Sequence, residues 1–112
     1  MRRSRAARVL RDSAPTFAAL GDQTRLRLVT RLCEEGPLSI TRLADGSEVS
    51  RQAVTKHLRV LANAGLVASA RDGRESVWQI EPRALATARV HLETISRQWD
   101  QTLLRLQTFV ES

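Results

Sequence analysis

The feature that most constrains this chain is a change of hydrophobic period. Up to Gly65 the apolar residues recur at helical spacing. From Leu66 to Arg71 and from Glu75 to Ile80 they alternate with a period of two, around Asp72-Gly73-Arg74, and after Pro82 the helical period returns. Two short alternating runs about a Gly-containing turn predict a β-hairpin. Several helices, a hairpin and one long final helix admit few packings in 112 residues, which suffice for one core but not two.

The helical part divides by its own punctuation. Ala6 to Leu20 forms a first helix with Leu10, Ala14, Phe17 and Ala18 toward one face, and Pro15 is placed to kink or split it. Asp22 caps a second helix whose inward side carries Leu26, Val29, Leu32 and Cys33. Glu35-Gly36-Pro37 stops it. Ser39 caps a short third helix with Ile40, Leu43 and Ala44 apolar, and Asp45-Gly46-Ser47 is turn chemistry. Ser50 caps a fourth helix that closes at Asn63-Ala64-Gly65, and a final helix runs from Pro82 to about Val110. The expected fold is mainly α with a β-hairpin wing: a dimeric winged helix-turn-helix of four helices, two strands and a last helix. Residues 1–112 form one domain, with a DNA-binding core at 16–81 and dimerisation helices at 1–20 and 82–110.

The fourth helix separates two kinds of chemistry. Val54, Leu58 and Leu61 recur at i, i+4 and i+7, while Gln52, Thr55, Lys56, Arg59 and Asn63 occupy the other face. A helix that reads DNA needs an apolar stripe to seat it and donors and acceptors opposite. Arg51, Gln52 and Thr55 are the expected base-edge residues, since Arg matches guanine O6/N7 and Gln matches adenine N6/N7. Ser50, Lys56 and Arg59 suit phosphate. Arg71 and Arg74 flank the hairpin tip, where Asp72 and Glu75 offset part of their charge. Ser39, Thr41 and His57 complete the expected DNA-binding set, although His57, beside Val54 and Leu61, also fits a hydrogen-bonded histidine at the core edge. Eighteen basic residues against twelve acidic ones give a net charge of +6, and all but Lys56 of the basic residues are Arg. Such a surface attracts nucleic acid through counterion release. An Arg-rich proteome would produce the same Arg-to-Lys ratio.

The final helix carries a second signal. Leu85, Ala88, Leu92, Ile95, Trp99, Leu103, Leu106 and Val110 step by three and four over a length that exceeds the needs of a small core. It is expected to pack against a second copy. The interface residues are Leu10 and Phe17 of the first helix and Leu92, Ile95, Trp99, Leu103 and Leu106 of the last, with Trp99 as anchor.

These motifs together resemble a known family. Phe17-x-x-Leu20-Gly21-Asp22-x-Thr24-Arg25-Leu26-Arg27-Leu28, Leu38-Ser39-Ile40-x-x-Leu43-Ala44, Ser50-Arg51-Gln52-Ala53-Val54-x-Lys56-His57-Leu58-x-x-Leu61-x-x-Ala64-Gly65-Leu66-Val67 and Gly73-Arg74-x-x-x-Trp78 are similar to the ArsR/SmtB winged-helix repressors. The resemblance is close over residues 16 to 81 and looser in the last helix. It implies a dimeric repressor whose fourth helix enters the major groove and which leaves its operator when an effector binds.

Metal-sensing members of that family carry a Cys-x-Cys pair in the third helix, where Ser39 and Thr41 stand here. A second set of Asp and His ligands on the last helix corresponds to Pro82, Ala84, Ile95 and Gln98, none suited to a soft metal. No metal site or cofactor is therefore expected at the known positions, and the identity of an effector is not readable from the sequence. A sensor built on Cys33 and His91 is an alternative, although Cys33 on the apolar side of its helix reads as a buried thiol. A winged-helix module that binds protein or RNA is another. One Cys, two His and no Gly-rich phosphate loop argue against an enzyme. No apolar run approaches a membrane span, and the basic N-terminus leads into an amphipathic stretch instead of an apolar leader core, so a cytoplasmic location without membrane contact is expected.

Overall fold

The computed structural model describes residues 5–111, and within the first helix nothing is described of the side chains at 6, 9 and 10. The first four positions of the expected 1–20 dimerisation segment and the side chain of Leu10 thus lie outside the described residues. The element order is α1 (Arg5–Leu20), α2 (Gln23–Glu35), β1 (Leu38–Ser39), α3 (Ile40–Ala44), α4 (Arg51–Asn63), β2 (Val67–Asp72), β3 (Glu75–Ile80) and α5 (Pro82–Glu111). Pro15 does not split α1, which continues through it.

Local chemistry sets most boundaries. The carboxylate of Asp22 accepts from the backbone N–H of Arg25, and the hydroxyls of Ser39 and Ser50 accept from those of Arg42 and Ala53. Each cap satisfies a donor that a helix start leaves open. Gly36 takes φ 82° past the end of α2, and its N–H donates to Leu32. β2 and β3 pair with Asp72 opposite Glu75, so the turn proper is Gly73-Arg74, with Gly73 at φ 65°. Only Gly enters that region without strain at the first position of a two-residue hairpin.

The wing has a third strand that alternation did not predict. β1 lies antiparallel to β3, with Leu38 opposite Trp78 and Ser39 opposite Val77, giving the order β1-β3-β2. This rooting ties the hairpin to the start of α3. The core gathers Leu28 and Leu32 of α2, Leu43 of α3, Val54, Leu58 and Leu61 of α4, and Leu66 and Val67.

Two expectations about helix faces are corrected. In α2 the inward residues are Leu28 and Leu32, whereas Leu26 is 48% exposed and Cys33 is exposed. Leu26 and Cys33 lie roughly opposite Leu28 on a 3.6-residue helix. The helix is turned so that Arg25, at its first turn, reaches inward across the junction with α1 and α4. In α1, Ser13 and Ala19 are buried while Ala14 and Ala18 stay open and Phe17 is half-buried. The buried positions are those turned toward α2, α4 and α5, the helices α1 packs against.

At 30 residues, α5 is about 45 Å long and outreaches the 16-residue α1 beside it. Ala88 and His91 are buried on it, and Nδ1 of His91 has no hydrogen-bond partner among the described residues. Beyond Gln98 every described α5 residue is exposed, including Trp99 at 67% and Phe109 at 78%. No described helix is long and apolar enough to cross a membrane.

Candidate nucleic-acid interface

The candidate surface is built on α4. Val54, Leu58 and Leu61 are completely buried, so the stripe Gln52, Lys56, Arg59 and Asn63, at i, i+4, i+7 and i+11, points directly away from the body. All four are exposed. The cap at Ser50 leaves the first turn of α4 at the surface, where its remaining N–H groups and the helix dipole favour an anion.

Beside that stripe stands α3. The guanidinium of Arg51 donates to the hydroxyl of Thr41, and both residues are exposed. Arg51 and Thr41 are therefore brought together through one of the five N–H donors of the guanidinium. The hydroxyl of Thr55 donates to the Arg51 carbonyl at 2.9 Å, so its proton is committed to the helix and its methyl group is what remains for a partner. Ser39, half-buried, uses its hydroxyl on the N–H of Arg42.

Arg31 locks α3 in place. Its Nη1 donates to the carbonyls of Arg42 and Leu43 at 3.0 and 3.1 Å, and its Nε donates to Glu35 at 2.8 Å. The bond from Arg31 holds the Glu35 carboxyl below its ordinary pKa. A cation over the last carbonyls of a five-residue helix completes an end that is otherwise short of partners.

His57 does not face outward with the other expected DNA-binding residues. Its half-buried ring turns toward the α1–α2 junction, with Nδ1 3.3 Å from Nη1 of Arg25 and 3.8 Å from the Asp22 carboxylate. A guanidinium only donates, so Nδ1 is the bare acceptor and the ring proton sits on Nε2. The backbone N–H of Arg25 is the main cause that holds the Asp22 pKa below the ordinary carboxylate value, and the Arg25 guanidinium charge adds to it. Of the two readings the sequence left open for His57, the geometry favours the core-edge histidine.

Arg71, Asp72, Arg74 and Glu75 are all exposed at the hairpin tip. Arg74 sits in the turn itself, and Arg71 is opposite Ser76. Two basic and two acidic residues leave the tip without net charge. Arg42, exposed on α3 beside Thr41, was missed. A five-residue helix is too short for its period to define a face on which Arg42 could be placed.

Cys33 lies exposed on α2 and His91 buried on α5. No three His, Cys, Asp or Glu side chains gather around a common point among the described residues.

Comparison with known proteins places this surface in a family. A helix-turn-helix domain model matches residues 20–70. The HTH-type transcriptional regulator Rv2034 of Mycobacterium tuberculosis is 39% identical over 96 residues, covering 86% of each chain. The arsenical resistance operon repressor of Bacillus subtilis is 31% identical over 72 residues, 64% of this chain and 69% of that protein. An ArsR-like transcriptional regulator from Rhodococcus sp. RHA1 superposes with a TM-score of 0.71 at 39% identity, over 88% of this chain and 92% of that one. These relatives are regulators and not enzymes. The chain belongs to the ArsR/SmtB family of winged helix-turn-helix proteins and is a DNA-binding transcriptional regulator.

Proposed function

We propose that the chain acts as a repressor, a homodimer that reads a roughly palindromic operator with one α4 in the major groove of each half-site. Residues 16–81 form the DNA-contacting core, and the helices within 1–20 and 82–110 join the two copies. The observation that carries this is the division of α4: three buried apolar residues on one side, and Gln52, Lys56, Arg59 and Asn63 in line on the other. Gln52 and Arg51 read base edges, and Thr55 offers its methyl group. Lys56 and Arg59 contact phosphate, Ser50 and the first turn of α4 receive another, and Ser39, Thr41 and the wing arginines Arg71 and Arg74 grip the flanking backbone. Repression follows from occupancy of the promoter, and the relative from Bacillus subtilis is itself an operon repressor.

The dimer places two reading helices about one helical turn of DNA apart. It rests on the shoulder of α5 formed by Leu85, Leu92, Trp99 and Leu103, all exposed in the single chain. Ile95 and Leu106 extend the same stripe, and Phe17 of α1, the helix packed against α5, joins the interface.

Gln52→Ala is expected to weaken the best-bound duplex by about 1–3 kcal/mol and relax preference at one base pair per half-site. Binding measured against a set of single-base variants checks this, and an unchanged preference profile would remove Gln52 from the reading set. Arg74→Ala is expected to lower affinity for specific and random duplexes by the same factor and to reduce the salt slope by about one. A sequence-selective loss there would mean that the wing reads bases.

A further inference from the structure

The recognition helix is held by polar bonds on both shoulders. We propose that the Arg25–His57 contact is a positioning device that fixes the roll of α4 about its own axis and thereby sets sequence discrimination. It rests on the reading that α4 lies in the major groove.

The apolar stripe of α4, with Val54, Leu58 and Leu61 fully buried, fixes which face turns inward and how deeply the helix sits, and bonds at its shoulders narrow the roll that remains. Hydrogen bonds supply direction. On one shoulder Arg51 donates to Thr41 and ties α4 to α3. On the other, His57 accepts from Nη1 of Arg25 at 3.3 Å, while Nε of the same guanidinium donates to the carbonyl of Ala19 in the last turn of α1. The backbone N–H of Arg25 is in turn held by Asp22. One planar cation thus joins the end of α1, the start of α2 and the inner edge of α4. A guanidinium spans two acceptors in a fixed geometry, which an ammonium does not.

Roll matters because of leverage. Side-chain tips stand about 5–6 Å from a helix axis, so a roll of about 20° carries them about 2 Å. The distance window of a hydrogen bond is only about 0.5 Å wide. Base contacts from Gln52 and its neighbours would be lost under such a roll. Phosphate contacts through long, flexible side chains such as those of Lys56 and Arg59 would adjust, because they carry no sequence register. Loss of the tie should therefore lower discrimination and spare non-specific affinity. A residue that only stabilised the fold would show no such split.

The test uses the full chain, a duplex selected by it from a randomised pool, and an unrelated duplex of equal length, titrated over a range of salt. His57→Leu and Arg25→Lys are each expected to cut the ratio of selected to unrelated affinity at least tenfold. Affinity for the unrelated duplex should stay within twofold, with its salt slope unchanged. The double variant should be no worse than the poorer single one, since both break the same unit. His57→Asn, whose amide oxygen occupies the place of Nδ1, should restore most of the discrimination. If His57→Leu is unfolded at the assay temperature by thermal melt, Arg25→Lys and His57→Asn decide, the first losing discrimination and the second keeping it. Intact discrimination in folded His57→Leu and Arg25→Lys would overturn the tie while leaving the α4 reading in place. An equal loss for both duplexes that follows the loss of stability would overturn it too. A parent chain that does not discriminate would overturn the groove reading and the tie with it.

Discussion

Trp99→Ala is expected to weaken self-association by about 2–4 kcal/mol, a rise of roughly 30- to 1000-fold in the dimer dissociation constant. Trp99 is the largest apolar side chain on the open shoulder of α5 and is 67% exposed in the single chain. Trp99 stands in a continuous run of exposed apolar side chains with Leu92, Leu103 and Leu106, and such a patch marks a surface that a partner covers. Leu104→Ala provides the control. Leu104 is as exposed as its neighbours on the stripe but lies on the opposite side of α5, so its removal should leave the constant within about twofold. Sedimentation equilibrium on the three chains checks both statements. A parent that is monomeric at micromolar concentration, or equal effects of the two substitutions, would remove α5 as the seam. Operator affinity should fall with dimerisation in Trp99→Ala, since a single α4 contacts only half of a two-fold site.

The parts of the fold legible in the sequence are those fixed by neighbours a few residues away. Asp22, Ser39 and Ser50 are read as caps because a cap needs one acceptor within three residues of its donor, and each bonds as expected. The hairpin is legible because alternation and Gly73 are local signals. The stripe of α4 is legible because it is regular over a whole helix. β1 is not, since two residues show no period and pairing with β3 comes from a partner almost forty positions away. The role of His57 was only half legible. Its position beside Val54 placed it at the core edge, but nothing in the spacing said that Arg25, 32 residues earlier, would supply the bond. Within the candidate surface the outward residues of α4 follow from period alone. The pairing of Arg51 with Thr41 required knowing how α3 crosses α4.

The orientation of α2 is where local pattern failed, and it yields the sharpest stability test. Leu26, Val29, Leu32 and Cys33 make one acceptable helical stripe and Leu28 with Leu32 makes another, so periodicity alone does not choose between them. Arg25 lies on the same face as Leu28 and Leu32, and its hydrogen bonds to Ala19 and His57 form only when the start of α2 faces α1 and α4. That rotation buries Leu28, at 4% exposure, and leaves Leu26 outside. Leu28→Ala is therefore expected to cost about 2–5 kcal/mol, the range for truncation of a buried leucine whose cavity only partly collapses. In a domain of this size that lowers Tm by about 10 °C or more. Leu26→Ala removes a half-solvated side chain and should cost less than about 1 kcal/mol. Because a dimer melts in a concentration-dependent way, both variants and the parent must be unfolded at one protein concentration. If Leu26→Ala is the more damaging of the two, α2 is rotated the other way, Arg25 cannot reach His57, and the positioning of the recognition helix must come from the apolar stripe of α4 and its bond to α3.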